Sequence, residues 1–272
     1  MNLNFKLLML KSALSKFYNM FIFNTKGMQK QNIFFTFFVV LNVLFLLTAC
    51  DPYGLKPRGT GLISDIDGNK YDSVILGDQI WMVQNLRVTH YRNGDKITMQ
   101  TKSEKWSSHD VGHWCNYNNK SSNSFTYGRL YNMASVNDSR GLAPEGWRVA
   151  SFEDWKKLKD YLIKSGYNFN AGDTISNKIG ISLAAKSSWD EFKGEGLIGN
   201  DLASNNKSGF SALPGGGRDE TGFFGGIKRA GIWWTSTGVY YFSLSFDSDS
   251  LKMKDESGTA GFSVRCVKDV LK

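Results

Sequence analysis

The stretch from Ile33 to Leu47 is almost unbroken in apolar residues and stops abruptly at Cys50, and it decides how much of the chain is left to fold. At about 15 residues it falls short of the ~20 that a membrane-crossing helix needs, and it matches the core of a secretory leader. A buried core helix would not explain its place near the chain start, behind Lys30. With residues 1–49 read as leader, the folded part is confined to the chain beyond Cys50. The leader carries Lys6, Lys11, Lys16, Lys26 and Lys30 and no acid, so removing those five charges takes the formal net charge from +8 to +3. The basic balance is therefore mostly leader. A nucleic-acid footprint should survive processing as a basic stripe, and the remaining Lys and Arg are scattered, so nucleic acid is not an expected partner.

The closing tetrad Leu47-Thr48-Ala49-Cys50 resembles the lipobox of bacterial lipoproteins. The resemblance implies cleavage before Cys50 and a diacylglyceryl group on its thiol, which would make a membrane the first partner. A second apolar patch in residues 1–27 lengthens the leader unusually, and a start at Met28 would give the usual three-part leader without remainder. Asp51 to Gly61, "DPYGLKPRGTG", has two prolines and three glycines and reads as a tether, so residues 50–61 join the lipid to a domain over 62–270.

Over the whole chain, 28 Gly against 4 Pro and 14% aromatic residues favour short strands and many turns. Asp67-Gly68-Asn69 and Gly77-Asp78 mark hairpins, with a strand from Ile80 to Val83. Asp65-x-Asp67-Gly68-Asn69 lacks the distant bidentate Glu of a calcium loop, so a turn is expected there. Ser151 followed by Glu153 and Asp154 reads as a helix cap. Phe152, Trp155, Leu158 and Leu162 recur at helical spacing, and Ser165-Gly166 ends the run. "YGRLYNMASVND" predicts a shorter helix. "IWWTST", "VYYFSLSFDSD" and "GFSVRCVKD" read as late strands; the last should bury Phe262, Val264 and Cys266 on one face. Leu213 to Gly226, "LPGGGRDETGFFGG", has no P-loop Lys and reads as a mobile surface loop, with Arg218 either paired locally or facing a ligand.

These segments, taken in order with "WCNYNN" and "GLAPEGWRVASFEDWKKL", resemble the Fibrobacter succinogenes major paralogous domain, a family of secreted or surface lipoproteins, from about Ile63 to Asp269. Ala150 departs from the Pro usual in that family before the helix cap. The family is similar in turn to C-type-lectin-like and formylglycine-generating-enzyme domains. The resemblance implies an α+β, C-type-lectin-like fold: a small twisted antiparallel sheet, two helices, long Gly-rich loops and neighbouring termini. It also implies a place in the cell envelope, in the outer membrane or at the cell surface.

For chemistry, His90, His109 and His113 all fall in polar loop sequence. His109 and His113 are four apart, a helical metal spacing, but Gly112 and the loop composition argue against a helix there. With no H-E-x-x-H, no second cluster and no positioned base beside a nucleophile, no metal, cofactor or catalytic residue is expected. Cys115 and Cys266 are the two remaining thiols. In an oxidising compartment they are expected to form a disulfide, with a redox or metal pair as the other reading. Such a long loop would contribute about 4–5 kcal/mol in the chain-entropy description. The calcium-binding triplets of sugar-binding lectins do not occur. Trp233, Trp234, Tyr240 and Tyr241 are candidate aromatic platforms for a ligand, with burial in the core as the alternative. Trp81, Trp147 and Trp155 are assigned to the core. The expected function is non-catalytic adhesion to a glycan or another envelope protein; the alternative is an enzyme of the formylglycine-generating type.

Overall fold

Glycine and Asx turns interrupt the chain every few residues, so its strands are only 2–6 residues long and the architecture is a set of small sheets. The computed structural model describes residues 63–106 and 110–270, all within one compact unit. β1 (Ile63–Ser64) and β2 (Lys70–Tyr71) form a hairpin around Gly68, whose φ of 79° is the left-handed value expected of the Asp67-Gly68-Asn69 turn. β3 (Ser73–Leu76) and β4 (Gln79–Met82) form the second hairpin, around Gly77. β5 (Thr98–Met99), β6 (His113–Cys115) and β7 (Leu130–Tyr131) form a three-stranded sheet in which β5 and β6 run parallel. α1 (Ser121–Tyr127) and α2 (Met133–Val136) flank β7 in sequence, and β8 (Arg148–Val149) leads into α3 (Phe152–Lys164).

After the short α4 (Gly180–Leu183) and a long irregular stretch come β9 (Gly215–Arg218), β10 (Phe224–Ile227), β11 (Ala230–Trp234), β12 (Tyr240–Ser245), β13 (Lys252–Asp255) and β14 (Cys266–Asp269). The largest sheet has the order β3-β4-β14-β8 and is antiparallel throughout. The β11-β12-β13 and β9-β10 sheets complete a mixed α/β fold with no closed barrel among the described residues. Among the described residues four α-helices are present rather than the expected two, and of these only α3 exceeds seven residues. The helix expected over "YGRLYNMASVND" shrinks to four residues, because Leu130 and Tyr131 pair with β6 instead.

The large sheet separates two hydrophobic cores. Strand alternation sends Trp81 and Val267 to one side, with Trp155, Leu158, Leu162, Phe210 and Phe242. It sends Ile80, Met82, Val149 and Cys266 to the other, with Tyr131, Trp147 and Phe262. The segment 261–264 before β14 bridges to Tyr131, Arg218 and Trp233, so protein covers it on both faces. The alternation expected for "GFSVRC" therefore holds for Phe262, Val264 and Cys266, but Ser263, Arg265 and Val267 are buried as well.

α3 begins as its sequence indicates. The Ser151 Oγ accepts from the Asp154 amide at 3.1 Å, and the Ser151 amide donates back to Asp154 Oδ2 at 2.9 Å, which closes a capping box. The Asp154 carboxylate also accepts from Gln79 Nε2 and from Arg148 Nη2 at 2.7 Å, which ties the helix start to β4 and β8. Burial alone would raise the Asp154 carboxyl, but the bonds from Arg148 and Ser151 outweigh it and hold the group below the usual carboxylate range. A depressed folded-state value means that its stabilisation is complete above about pH 4, the unfolded range, and is lost as pH falls through the lower value. Denaturant titrations from pH 6 to pH 2 should therefore show Asp154→Asn destabilised at neutral pH and converging with the parent chain in acid. A gap that stays constant with pH would refute this account.

Candidate functional site

The aromatic residues proposed as ligand platforms are mostly core. Trp233 and Trp234 are fully buried, one in each of the two cores, because consecutive residues of β11 point to opposite faces and both faces are covered. Their ring nitrogens are also engaged, Trp233 Nε1 donating to Asn85 Oδ1 and Trp234 Nε1 to the Tyr131 carbonyl, each at 2.8 Å. Tyr241 packs between Trp234 and Phe262. Of that set only Tyr240, 40% exposed and packed on Phe152, offers a ring to solvent.

Arg218 neither faces solvent nor pairs with an acid. It is completely buried, with its guanidinium between the rings of Trp106 and Phe224, and it donates to the carbonyls of Gln100 (2.7 Å), Thr101 (3.1 Å) and Gly222 (3.1 Å). The expected mobile loop is accordingly a braced hairpin, with β9 buried along its length. At its tip, Asp219 Oδ1 accepts from Thr221 N, Thr221 Oγ1 and Phe223 N at 2.7–2.9 Å, and the Asp219 amide donates to the Phe223 carbonyl. These bonds outweigh burial and hold the Asp219 carboxyl below its ordinary value. Gly222, at φ 85°, lies against Ser103, where a side chain would clash. The bonds to Asp219 and the contact with Ser103 brace the turn, and it leaves Phe223 71% exposed while its neighbour Phe224 packs on Tyr117. A side chain at Gly215, at the base of the same hairpin, would touch Tyr127 of α1, and α1 carries a second protruding ring, Phe125, at 78% exposure.

The expected disulfide is absent: Cys115 and Cys266 are both free and both buried. They belong to different hydrophobic clusters, Cys115 with Trp106 and Tyr117, Cys266 with Tyr131 and Val149. Burial pushes each thiol up to about 12, against the pull of Arg218 on Cys115 and of Arg265 on Cys266. Neither should react with a thiol reagent in the folded chain, whereas both should be alkylated once denaturant is added without reductant. A cross-linked peptide joining them in a mass-spectrometric map would overturn that expectation.

Of the two described histidines, His113 departs from the expected loop position. His113 lies on β6, nearly inaccessible, where burial lowers its pKa and Nδ1 finds no partner. His90 is half-buried with Nδ1 2.5 Å from Asp67 Oδ1. His109 and the lipidation candidate Cys50 lie outside the described residues. The Asp65 carboxylate is occupied by Tyr71 Oη at 2.6 Å and by Asn69, in keeping with a turn. Among the described residues no group of three or more His, Cys, Asp or Glu is placed to hold a metal ion, and no helix is long and apolar enough to cross a membrane.

The family described as the Fibrobacter succinogenes major domain matches residues 74–268. The chain belongs to that family. No curated protein and no solved structure matches it. The Fibrobacter succinogenes major domain runs from β3 into β14, so it contains the Phe223 turn, both buried arginines and both thiols. The β1–β2 hairpin, which carries Asp67, precedes the matched segment. Phe223 was not among the expected site residues, although an Asp-x-Thr-Gly turn followed by two aromatics at a strand start sends the two rings to opposite faces, and here Phe224 packs on Tyr117 while Phe223 is left in solvent.

Proposed function

We propose that this chain is a non-catalytic envelope lipoprotein, held through a lipid on Cys50 in the outer membrane or at the cell surface. Its C-type-lectin-like domain would bind a glycan or another envelope protein through the turn that presents Phe223. The observation carrying this reading is the combination of a rigid turn and an exposed ring. An aromatic side chain left in water forgoes about 2 kcal/mol of burial, and holding it in one geometry beforehand lowers the entropic cost of engaging a partner. Aromatic anchors of this kind dominate interface energetics.

The formylglycine-generating alternative draws no support from the thiols. A catalytic thiol needs access and a lowered pKa, and here both are buried and pushed up. The test is a binding screen of the full chain in detergent against glycan arrays and outer-membrane proteins, with Phe223→Ala alongside. That variant should weaken binding by about 30-fold, a loss of about 2 kcal/mol, with an unchanged melting temperature. Binding indifferent to Phe223 would remove the turn from the proposal. Unaltered membrane partition in a Cys50→Ala chain would remove the lipid anchor.

A further inference from the structure

The β1–β2 hairpin, the 88–92 segment and the 142–145 loop enclose a half-open pocket of about 280 Å³. Its floor is apolar, formed by the buried Val88, Leu142 and Pro144; Ser64, Asp65, His90, Arg92 and Glu145 contribute the polar groups, with the Asp65 carboxylate already engaged by Tyr71 and Asn69. The imidazole is fixed on one side only. Asp67 is gripped at Oδ2 by the Thr89 amide and by Thr89 Oγ1 (3.0 Å), and it takes His90 Nδ1 on Oδ1. Burial raises the Asp67 carboxyl, but the Thr89 and His90 bonds bring it below its ordinary value, so it is the acceptor and Nδ1 carries the proton. In the neutral ring Nε2 is then a bare acceptor, with no partner within the described residues.

Arg92 is fixed in the same way. Its Nε donates to the Ala143 carbonyl at 2.9 Å and its Nη2 to the Trp147 carbonyl at 3.0 Å, which leaves Nη1 with donors to spare. The pocket thus offers an oriented acceptor, an oriented donor and a carboxylate around an apolar floor. A hydrocarbon would leave the acceptor and the donor unsatisfied, and a polyanion would meet Glu145. The volume falls just below the ~300–1,000 Å³ of sites for drug-sized ligands, which limits the occupant to about one ring. A compact ring bearing several hydroxyls meets all three demands, since each hydroxyl both donates and accepts and the C–H face suits the floor.

We infer that this pocket binds one pyranose-sized polyhydroxylated ring, with one hydroxyl donating to His90 Nε2 and another accepting from Arg92 Nη1. Asp67 is a positioning residue, since it acts through the imidazole. The site is separate from the Phe223 turn and stands or falls without it. The ring could be a free sugar or the last residue of a glycan chain, which share this chemistry.

The test uses the full chain in detergent, with ligand-observed NMR against glucose, galactose, mannose, fucose and N-acetylglucosamine, their methyl glycosides, and short oligosaccharides ending in each. At least one free pyranose at about 20 mM should give saturable binding. Its methyl glycoside and oligosaccharide bind as well if the source is a glycan end, and fail to bind if the source is the free sugar. His90→Phe should weaken binding about tenfold, the loss of one well-placed hydrogen bond. Asp67→Asn should weaken it too, with the His90 ring resonances broadened as the imidazole is released. Phe223→Ala should leave this binding unchanged, which separates the outcome from that of the turn. If His90→Phe lowers the melting temperature, His90→Gln is read in its place. No saturable binding by any sugar, or equal binding by the parent chain and the His90 variant, overturns the inference.

Discussion

Arg265→Ala is expected to lower the unfolding free energy by about 4 kcal/mol, read as a fall in the denaturant midpoint at unchanged slope. The guanidinium is wholly buried, and no acid balances it among the described residues. Its partners are carbonyl-type oxygens. Nη1 donates to Met82, Val83 and Phe210, the first and last at 2.8 and 2.9 Å, while Nε and Nη2 share Asn85 Oδ1 at 3.2 and 3.0 Å. The plane of the cation lies over the Phe210 ring at 4.4 Å. Burial pushes its pKa down to about 9, which still leaves it charged at neutral pH.

Truncation strands these acceptors in a dry interior, at about 1–3 kcal/mol for each that finds no water. Lysine will not rescue the loss, because one ammonium cannot reproduce a fork that spans the 82–85 segment and Phe210. Arg265→Lys should therefore recover less than half of the stability. A loss below about 1 kcal/mol for the alanine variant would show that water replaces the guanidinium freely. Domains of this size have about 5–15 kcal/mol in total, so the predicted loss brings the fold near its limit.

Trp155→Ala should cost about 3–5 kcal/mol for a different reason. Trp155 lies on the buried face of α3, stacked on Phe242 (ring centroids 5.3 Å apart, 16° between planes) and against Trp81 (5.0 Å), Phe210 (5.6 Å) and Trp233 (5.7 Å). The four large rings around it cannot collapse into the space that Trp155 leaves, so the cavity persists. Trp155→Phe is the informative control. The indole Nε1 is buried without a partner, so phenylalanine removes an unsatisfied donor along with part of the volume and should cost only about 1 kcal/mol. Equal losses for the two variants would mean that the indole shape matters beyond its volume.

Local features were readable from the chain because their causes lie within a few residues. The Ser151 cap with Asp154, the left-handed Gly68 and Gly77, and the Ser165 helix end are all set by neighbouring side chains. The errors came from long-range causes. Strand alternation indicates one buried face for a half-exposed sheet, and nothing near Trp233-Trp234 reveals that a second core covers the other face. Arg218 reads as paired locally or facing a ligand because, apart from Gly222, the oxygens that satisfy it come from a segment more than 100 residues away. The cysteine pair fits an oxidising compartment by count, but pairing depends on distance, and the fold puts the two thiols in separate clusters. The pocket had the faintest signal. Asp67 and His90 are 23 residues apart, and only the β1–β2 turn brings them together.

The position of β14 sets an order of assembly. The last described strand is also an inner one, pairing with β4 on one side and β8 on the other, and the 261–264 segment just before it reaches three further parts of the chain. A nascent chain that has not yet delivered residues 261–269 has both cores open along the same seam. The domain therefore cannot close progressively as it emerges; it stays a loose thread until its tail arrives and then locks from the middle outward. On the proposal that residues 1–49 are an export leader, that delay would suit a chain that must cross a membrane before it folds.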